Sequence, residues 1–292
     1  MENSKIEWTD HTVNLWWGCA KVHTGCKNCY AENLSENRMK NNLWGPNAKR
    51  RFIKSSFVDL DRYQKAAYRQ NKKLKIFVGS MMDIFEDSKL IEKEFIFPNL
   101  PHTIINTSQL RNLLFTKITK GHYPNLIFLF LTKRPENILE NIPITWDHFP
   151  PDNVWFGTSI SDQTTADELV PHLLSIKHAN LFLSVEPQVG PIDLTKIQGD
   201  FSTSKLCKIN ALNGEQSDMG RPCAPTNAIK WVIQGGESGS KKREFDINWA
   251  TKMQQQCKNH SVPYFFKQID KVQPIPAENL VREFPNFSEN EQ

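Results

Sequence analysis

The run Leu126-Ile127-Phe128-Leu129-Phe130-Leu131 is apolar at every position and contains neither glycine nor proline. A strand that is buried on both faces needs such continuous hydrophobicity, whereas a strand with one face in water alternates apolar and polar residues. The run is also far too short to span a bilayer. It therefore predicts an interior strand of a parallel sheet.

Further short runs along the chain are apolar on nearly every residue and rich in β-branched or aromatic residues. They cover residues 75–78, 154–156, 181–185, 231–233 and 263–266. Helix-like stretches lie between most of them, with apolar residues at helical spacing in 165–179 and with Asp246 in the N-cap position of 246–260. This alternation predicts an α/β fold, either an α/β barrel or a doubly wound sheet.

Each apolar run ends in small, polar or charged residues. In barrels and in open α/β sheets alike, the carboxyl ends of the strands form the active-site face. We therefore expect these strand exits to converge on one site. The charged side chains among them are Asp83, Lys133, Arg134, Glu186, Glu237 and Lys267.

The length of 292 residues fits one large domain. We predict a single α/β barrel domain over residues 1–270, TIM-like but partial or irregular, with a cysteine loop at 17–30 and a long polar insert at 198–228, followed by a peripheral tail at 271–292. Inserts of that length are typically functional lids or disordered segments. The first residues lack a signal-peptide core, so we expect a cytoplasmic protein without a membrane partner, in which cysteines stay reduced.

The net charge of +4 and the pI of about 8.6 fit an anionic substrate or a nucleic acid, and they fit an ordinary globular surface equally well. Arg50 and Arg51 near Trp44 have the basic and aromatic character of a nucleic-acid contact. A positive pocket rim suited to phosphate or carboxylate, or alternatively a set of ordinary salt bridges, would come from Lys133, Arg134, Arg243 and Lys267.

Cys19, Cys26 and Cys29 are separated by six and two residues, and Gly18 and Gly25 precede the first two of them. They are close enough to bind one inorganic centre and too few to supply the four ligands of a structural zinc ion. Four interpretations stay open: free thiols, a zinc site completed by His23, a redox dithiol, and an iron–sulfur cluster with one iron left open.

The position of this loop, ahead of the first long apolar run, resembles that in the radical S-adenosylmethionine enzymes. In that superfamily a three-cysteine loop after the first strand of a partial (β/α)6 barrel holds a [4Fe-4S] cluster. The usual spacing there is three residues and then two, with an aromatic residue before the last cysteine, where this chain has a gap of six and Asn28.

A closer resemblance covers most of the chain and is to the phage and bacterial DUF5131 family, which is commonly regarded as radical-SAM-like. It rests on Trp-Gly-Cys…Gly-Cys-x-x-Cys-Tyr-Ala-Glu at 17–32, Gly-Ser-Met-Met-Asp-Ile-Phe at 79–85, Leu-Thr-Lys-Arg-Pro-Glu at 131–136, Asn-Val-Trp-Phe-Gly at 153–157, Ser-Val-Glu-Pro at 184–187, Gly-Gly-Glu-Ser-Gly at 235–239 and Phe-Phe-Lys-Gln at 265–268.

The radical-SAM resemblance implies that Cys19, Cys26 and Cys29 each bind one iron and that the fourth iron binds the amino and carboxylate groups of S-adenosylmethionine. One electron from a donor would then cleave the sulfonium and start radical chemistry on a nucleotide, a nucleic acid or another small molecule. The expected roles are cofactor binding for Ser80, Asp83, Ser159, Gly235 and Gly236, catalysis for Glu186, Glu237 and Lys267, and substrate binding for Lys133, Arg134 and Arg243.

Two other functions are compatible with the same residues. A zinc-stabilised α/β-barrel enzyme would use Glu186, Glu237 and Lys267 for acid–base chemistry. A non-catalytic nucleic-acid-binding protein of phage type would be expected to show a concentrated basic stripe, and the sequence has none.

Overall fold

The computed structural model describes residues 4, 6–95, 103–199 and 207–287. Its main sheet is parallel and consists of β1 (His11–Val13), β2 (Leu74–Val78), β3 (Leu126–Thr132), β4 (Val154–Ser159), β5 (Asn180–Val185), β6 (Trp231–Gly235) and β7 (Tyr264–Gln268).

The seven strands stand side by side in the order in which they occur in the chain. A doubly wound sheet reverses its strand order at one point, and this sheet does not. It curls into a half-barrel, and no pairing of β1 with β7 closes it among the described residues. The predicted α/β fold with a partial barrel is therefore confirmed, and the doubly wound alternative is wrong.

The connections between the strands carry the helices. They are α1 (Ser55–Arg69) before β2, α2 (Thr107–Thr119) before β3, α3 (Gln163–Leu174) before β5 and α4 (Ile247–Asn259) before β7, with the short helices Ile138–Asn141 and Ile144–His148 before β4. Asp246 caps α4 as predicted, since its side chain accepts a hydrogen bond from the Asn248 amide.

The two faces of the sheet have different neighbours, as the strand β3 shows. Phe128 and Phe130 belong to the core that also contains the buried faces of the helices, whereas Ile127 and Leu129 lie in a second cluster on the opposite face. This second cluster fills the concave side of the half-barrel with Trp8, Phe77, Trp155, Phe182, Trp231, Ile233 and Phe265. The helices thus cover one face only, and aromatic side chains form the floor of the other.

The insert forms a four-stranded antiparallel sheet of its own. Its strands are Ile197–Gln198, Cys207–Ile209, Gln216–Asp218 and Arg221–Pro222, and residues 200–206 lie outside the described part. None of the described residues 207–228 reaches the wall of the cavity at the strand ends. The described part of the insert is a folded side sheet that lines no part of that cavity.

Smaller elements complete the architecture. Two-stranded ladders join Trp16–Trp17 to Arg51–Phe52 and Leu90–Phe95 to Ile104–Asn106; short helical turns are Thr24–Cys26, Tyr30–Glu32, Asn33–Arg38, Pro135–Asn137, Leu194–Lys196 and Ala277–Asn279. In the part of the chain that the structure describes, no helix has both the length and the apolar character needed to cross a bilayer.

The tail after residue 270 runs antiparallel beside β7. The Phe266 amide donates to the Val281 carbonyl at 2.8 Å, and the Glu283 amide donates to the Tyr264 carbonyl at 2.9 Å. Phe287 then packs against Trp155 at the floor of the half-barrel, with ring centroids 5.1 Å apart. The described part of the tail therefore belongs to the half-barrel, and residues 288–292 lie outside the description.

Candidate functional site

A cavity of about 730 Å³ opens at the carboxyl ends of the parallel strands. This volume is within the range of small-molecule and cofactor sites. Residues at or just after the carboxyl end of every one of the seven strands contribute to its wall, so the predicted convergence of the strand exits occurs. The predicted site residues in the wall are Cys19, Cys26, Cys29, Ser80, Asp83, Lys133, Ser159, Glu186, Gly236, Glu237 and Lys267.

Three predicted site residues, Arg134, Gly235 and Arg243, lie behind this wall. Both arginines bond to carboxylates that are in the wall, so their guanidinium groups act on the cavity through those carboxylates.

The cysteine loop follows β1 and folds back over the cavity. Cys26 is buried, whereas Cys19 and Cys29 are partly exposed. The ring of His23 caps the turn before Cys26, because its Nδ1 accepts a hydrogen bond of 3.0 Å from the Gly25 amide. No set of three or more His, Cys, Asp and Glu side chains is placed to hold a metal ion in the described ranges.

Arg134 contacts the cysteine loop at Cys19 and Ala20. Its Nη2 donates to the Ala20 carbonyl at 2.8 Å, and its Nη1 lies 4.0 Å from the Cys19 Sγ. Burial, with the nearby Asp83 and Glu86, raises the pKa of Cys19 to about 12 against the opposing effect of Arg134. A metal that binds here must therefore displace a proton from this thiol.

Asp83 connects the exits of β2 and β3. Its Oδ1 accepts from the Thr132 hydroxyl at 2.7 Å and from the Phe85 amide at 3.0 Å, and its Oδ2 accepts from the Lys133 amide at 3.1 Å. Arg134 Nη1 completes the set at 2.8 Å from Oδ2. Both carboxylate oxygens are thus satisfied within the protein, which gives Asp83 an observed positioning role.

Glu237 fastens the cysteine loop to the exit of β6. Its Oε2 accepts from Asn28 Nδ2 at 3.0 Å, and Arg243 reaches both oxygens, with Nη2 at 2.8 Å from Oε1. Although burial acts to raise the pKa of Glu237, the hydrogen bonds from Arg243 and Asn28 outweigh it and hold the pKa below its usual value. Asn28 stands where radical-SAM loops have an aromatic residue. Its side chain therefore joins the cysteine loop to Glu237 through a part-buried hydrogen bond.

The exits of β3, β4, β5 and β7 form a second polar network in the cavity wall. Lys267 makes an ion pair with Glu186. Lys133 Nζ donates to the Ser159 hydroxyl at 2.9 Å, and that hydroxyl donates to the Glu186 carbonyl at 2.9 Å. Lys267 thus has a carboxylate partner, whereas the partner of Lys133 Nζ is the neutral hydroxyl of Ser159.

Asn14 and Tyr30 also line the cavity, and the sequence had not indicated them as site residues. Asn14 bridges β1 to the exit of β2, because its Nδ2 donates to the Ser80 hydroxyl at 2.9 Å and its Oδ1 accepts from the Met81 amide at 2.7 Å. Tyr30 donates its hydroxyl to the Ser80 carbonyl at 2.6 Å. Asn14 directly follows β1, and that strand of three residues is too short to be recognised as an apolar run.

Gly236 is required by close packing of two backbones. A Cβ at this position would lie 2.0 Å from the Ile269 carbonyl oxygen, whereas a Cβ at the neighbouring Gly235 would meet its surroundings at ordinary distances of 3.4 Å or more. The loop after β6 can therefore approach the loop after β7 only with glycine at position 236.

A Gly236→Ala variant is expected to lower the free energy of unfolding by about 3 kcal/mol, since a backbone carbonyl cannot rotate away from the added methyl group. Chemical denaturation followed by tryptophan fluorescence measures this loss. Gly235→Ala is the matched control and should cost far less. A similar loss for both variants would contradict the assigned close approach.

The hypothesis that Arg50 and Arg51 contact nucleic acid is wrong for Arg50. The side chain of Arg50 is fully buried and forms a two-pronged ion pair with Glu86. Arg51 is partly exposed and forms a similar pair with Glu92 on the surface. A buried guanidinium that is already paired has no access to a phosphate.

The fold and the site together define an α/β half-barrel protein whose three-cysteine loop faces a cavity at the strand ends. The chain belongs to the family described as "Protein of unknown function (DUF5131)", whose model matches residues 3–122 and 118–282. No curated protein and no solved structure matches the chain.

Proposed function

We propose that this protein is a radical-SAM-type enzyme in which Cys19, Cys26 and Cys29 hold a [4Fe-4S] cluster with one iron open to the cavity. The observation that carries the proposal is the placement of the three thiols in one cavity wall with the exits of all seven strands. An open iron is useful only where a cofactor and a substrate can reach it, and this cavity is large enough for both functions.

The donor set fits such a cluster better than a zinc ion. Burial and the nearby Lys133 lower the pKa of His23 to about 4, so its ring is neutral. Because Nδ1 accepts a hydrogen bond from the Gly25 amide, the single ring proton belongs on Nε2. A zinc-bound histidine has the opposite arrangement, with a lone pair toward the metal and a proton donated by the other nitrogen.

The neighbouring polar groups supply what a polar cofactor needs. The Ser80 hydroxyl accepts from Asn14 Nδ2 and can donate its own proton to a ligand at the wall. The Ser159 hydroxyl and the Gly236 backbone already bond within the protein, so they would shape the site around the cofactor. When bound, the cluster and S-adenosylmethionine would supply one-electron chemistry and a carbon-centred radical. The chain itself would bind and orient the reactants, and its aromatic floor would exclude water from below.

Glu186 and Lys267 are the candidates for proton transfer at the substrate, because both side chains are in the wall as a pair. Glu237 and Asp83 are better assigned as positioning residues, since their oxygens are occupied by protein donors.

The test is anaerobic reconstitution with iron and sulfide, followed by incubation with S-adenosylmethionine and a strong reductant. Formation of 5′-deoxyadenosine, measured by liquid chromatography, is the expected result. The matched sample is the same protein loaded with zinc, which should form none. A reconstituted protein that keeps its iron and yields no 5′-deoxyadenosine would overturn the proposal, and so would stoichiometric zinc that iron cannot replace.

A further inference from the structure

Three segments that are distant in sequence meet at the mouth of the cavity. Asn28 of the cysteine loop donates to the Lys241 carbonyl at 2.9 Å, so the backbone of Lys241 lies beside the residue that follows Lys27. Lys242 Nζ pairs with Asp270 Oδ2 at 2.7 Å, which brings the loop after β6 to Lys271 in the cavity wall. We refer to Lys27, Lys241 and Lys271 as the basic rim.

Three carboxylates near this rim are paired with other cations. Glu237 pairs with Arg243, Asp270 pairs with Lys242, and Glu32 pairs with Lys21. The three lysines of the basic rim are exposed, and none of them has a carboxylate partner in the described ranges of the chain. The three segments therefore bring exposed lysines without carboxylate partners to loops that border the cavity wall at Asn28, Ser238 and Lys271.

An aromatic surface lies beside these cations. The ring of Tyr30 is part of the cavity wall although the residue is 56% exposed, and its hydroxyl is anchored on the Ser80 carbonyl. Trp44 is half-buried in the same wall. Fixed aromatic rings next to a cationic track are the means by which proteins hold single strands, with bases stacked on the rings and phosphates on the lysines.

We infer that the basic rim and Tyr30 bind a single-stranded nucleic acid, with its phosphates on the lysines and a base on the tyrosine ring at the cavity mouth. The inference deepens the proposed function and rests on it in one respect, namely that the bound strand is a substrate. Binding itself needs only the folded chain. An acidic protein would use the lysines without the ring, so the ring decides in favour of nucleic acid.

The test is fluorescence anisotropy of a labelled, mixed-sequence oligonucleotide of about twelve nucleotides, a usual site size, with the metal-free protein. The triple variant Lys27→Gln, Lys241→Gln, Lys271→Gln should lower the salt slope of binding by about 2, at about 0.7 for each lost contact. With equal binding of the two proteins at about 1 M salt as the reference, this smaller slope corresponds to about hundredfold weaker binding by the triple variant at about 0.1 M salt. The matched control changes Lys177, Lys208 and Lys258, which are exposed and lie between α3 and β5, in the insert and in α4.

A second variant tests the ring independently of charge. Tyr30→Ala should weaken binding of the oligonucleotide about tenfold, as expected for the loss of one stacked base, and should leave binding of an abasic strand of equal length unchanged. Equal losses in the rim and control triples would overturn the inference, and so would polyglutamate binding as tight as that of the oligonucleotide. Because no cluster is present in this assay, retained binding with no 5′-deoxyadenosine formation would sink the proposed function alone.

Discussion

An Arg50→Ala variant is expected to lose about 3–5 kcal/mol of unfolding free energy, because it leaves a buried carboxylate without its partner. Arg50 Nε and Nη2 each lie 2.8 Å from an oxygen of Glu86, and both side chains are essentially inaccessible. Nη1 also donates to the Leu43 carbonyl at 2.9 Å and to the Ala48 carbonyl at 2.7 Å. Urea denaturation followed by tryptophan fluorescence measures the loss.

Arg51→Ala is the matched control, since Arg51 is adjacent in the chain and binds Glu92 with the same two-pronged geometry at 2.7 and 3.1 Å. Its pair is exposed, so its removal should cost less than about 1 kcal/mol. Similar costs for the two variants would contradict a structural role for Arg50. The Gly45 amide donates to the Cys19 carbonyl at 2.9 Å, and Arg50 binds the Gly45 carbonyl, so the same variant should also loosen the cysteine loop.

Replacement of any one of Cys19, Cys26 and Cys29 by alanine is expected to abolish stable cluster binding. Iron in the reconstituted protein should fall from about four per chain to a small fraction of that, since under the proposed function each thiolate would bind a different iron. Formation of 5′-deoxyadenosine should disappear together with the iron. Iron and acid-labile sulfide analysis of the gel-filtered protein measures the effect.

The chain supplies two matched controls for these variants. Cys223 is exposed in the insert, and Cys257 is buried in α4, where burial raises its pKa to about 12. Alanine at either position should leave the iron content unchanged. Loss of iron in the controls to the same degree as in the loop variants would mean that the binding is unspecific. Circular dichroism of each variant checks that the half-barrel remains folded.

The strands were predictable because each is buried on both faces and so carries its signal in a few consecutive residues. β3 and the other long runs show it clearly, whereas β1 (His11–Val13) includes two polar residues and was missed. The strand order was not predictable, since alternating strands and helices fit a doubly wound sheet equally well. Only the structure shows that each connection returns the chain to the neighbouring parallel strand. The fold of the insert was missed because its strands are only two or three residues long.

The site was predictable to the extent that it depends on strand ends. Lys133, Ser159, Glu186 and Lys267 lie at the carboxyl ends of β3, β4, β5 and β7 and meet in the cavity as expected. The hydrogen bonds that occupy individual side chains were not predictable, because they join residues far apart in the chain. Glu237 reaches back to Asn28 across 209 positions, and only the folded structure shows that its oxygens are occupied.

The different environments of Arg50 and Arg51 were also not predictable, because they depend on burial in the folded chain. Arg50 and Arg51 are alike in sequence, yet one is enclosed by the chain around Leu43 and the other faces solvent. The basic rim was not predictable from any one stretch of sequence, since its lysines come from three separate loops.

The most direct test of the account is the electron paramagnetic resonance spectrum of the reduced, reconstituted protein before and after addition of S-adenosylmethionine. An iron without a protein ligand in the cavity should bind the added molecule, and the spectrum of the [4Fe-4S] cluster should change on its addition. A cluster signal that is unaffected by S-adenosylmethionine, or a chain that holds zinc and gives no signal, would contradict the claim that the three cysteines leave one iron open for chemistry.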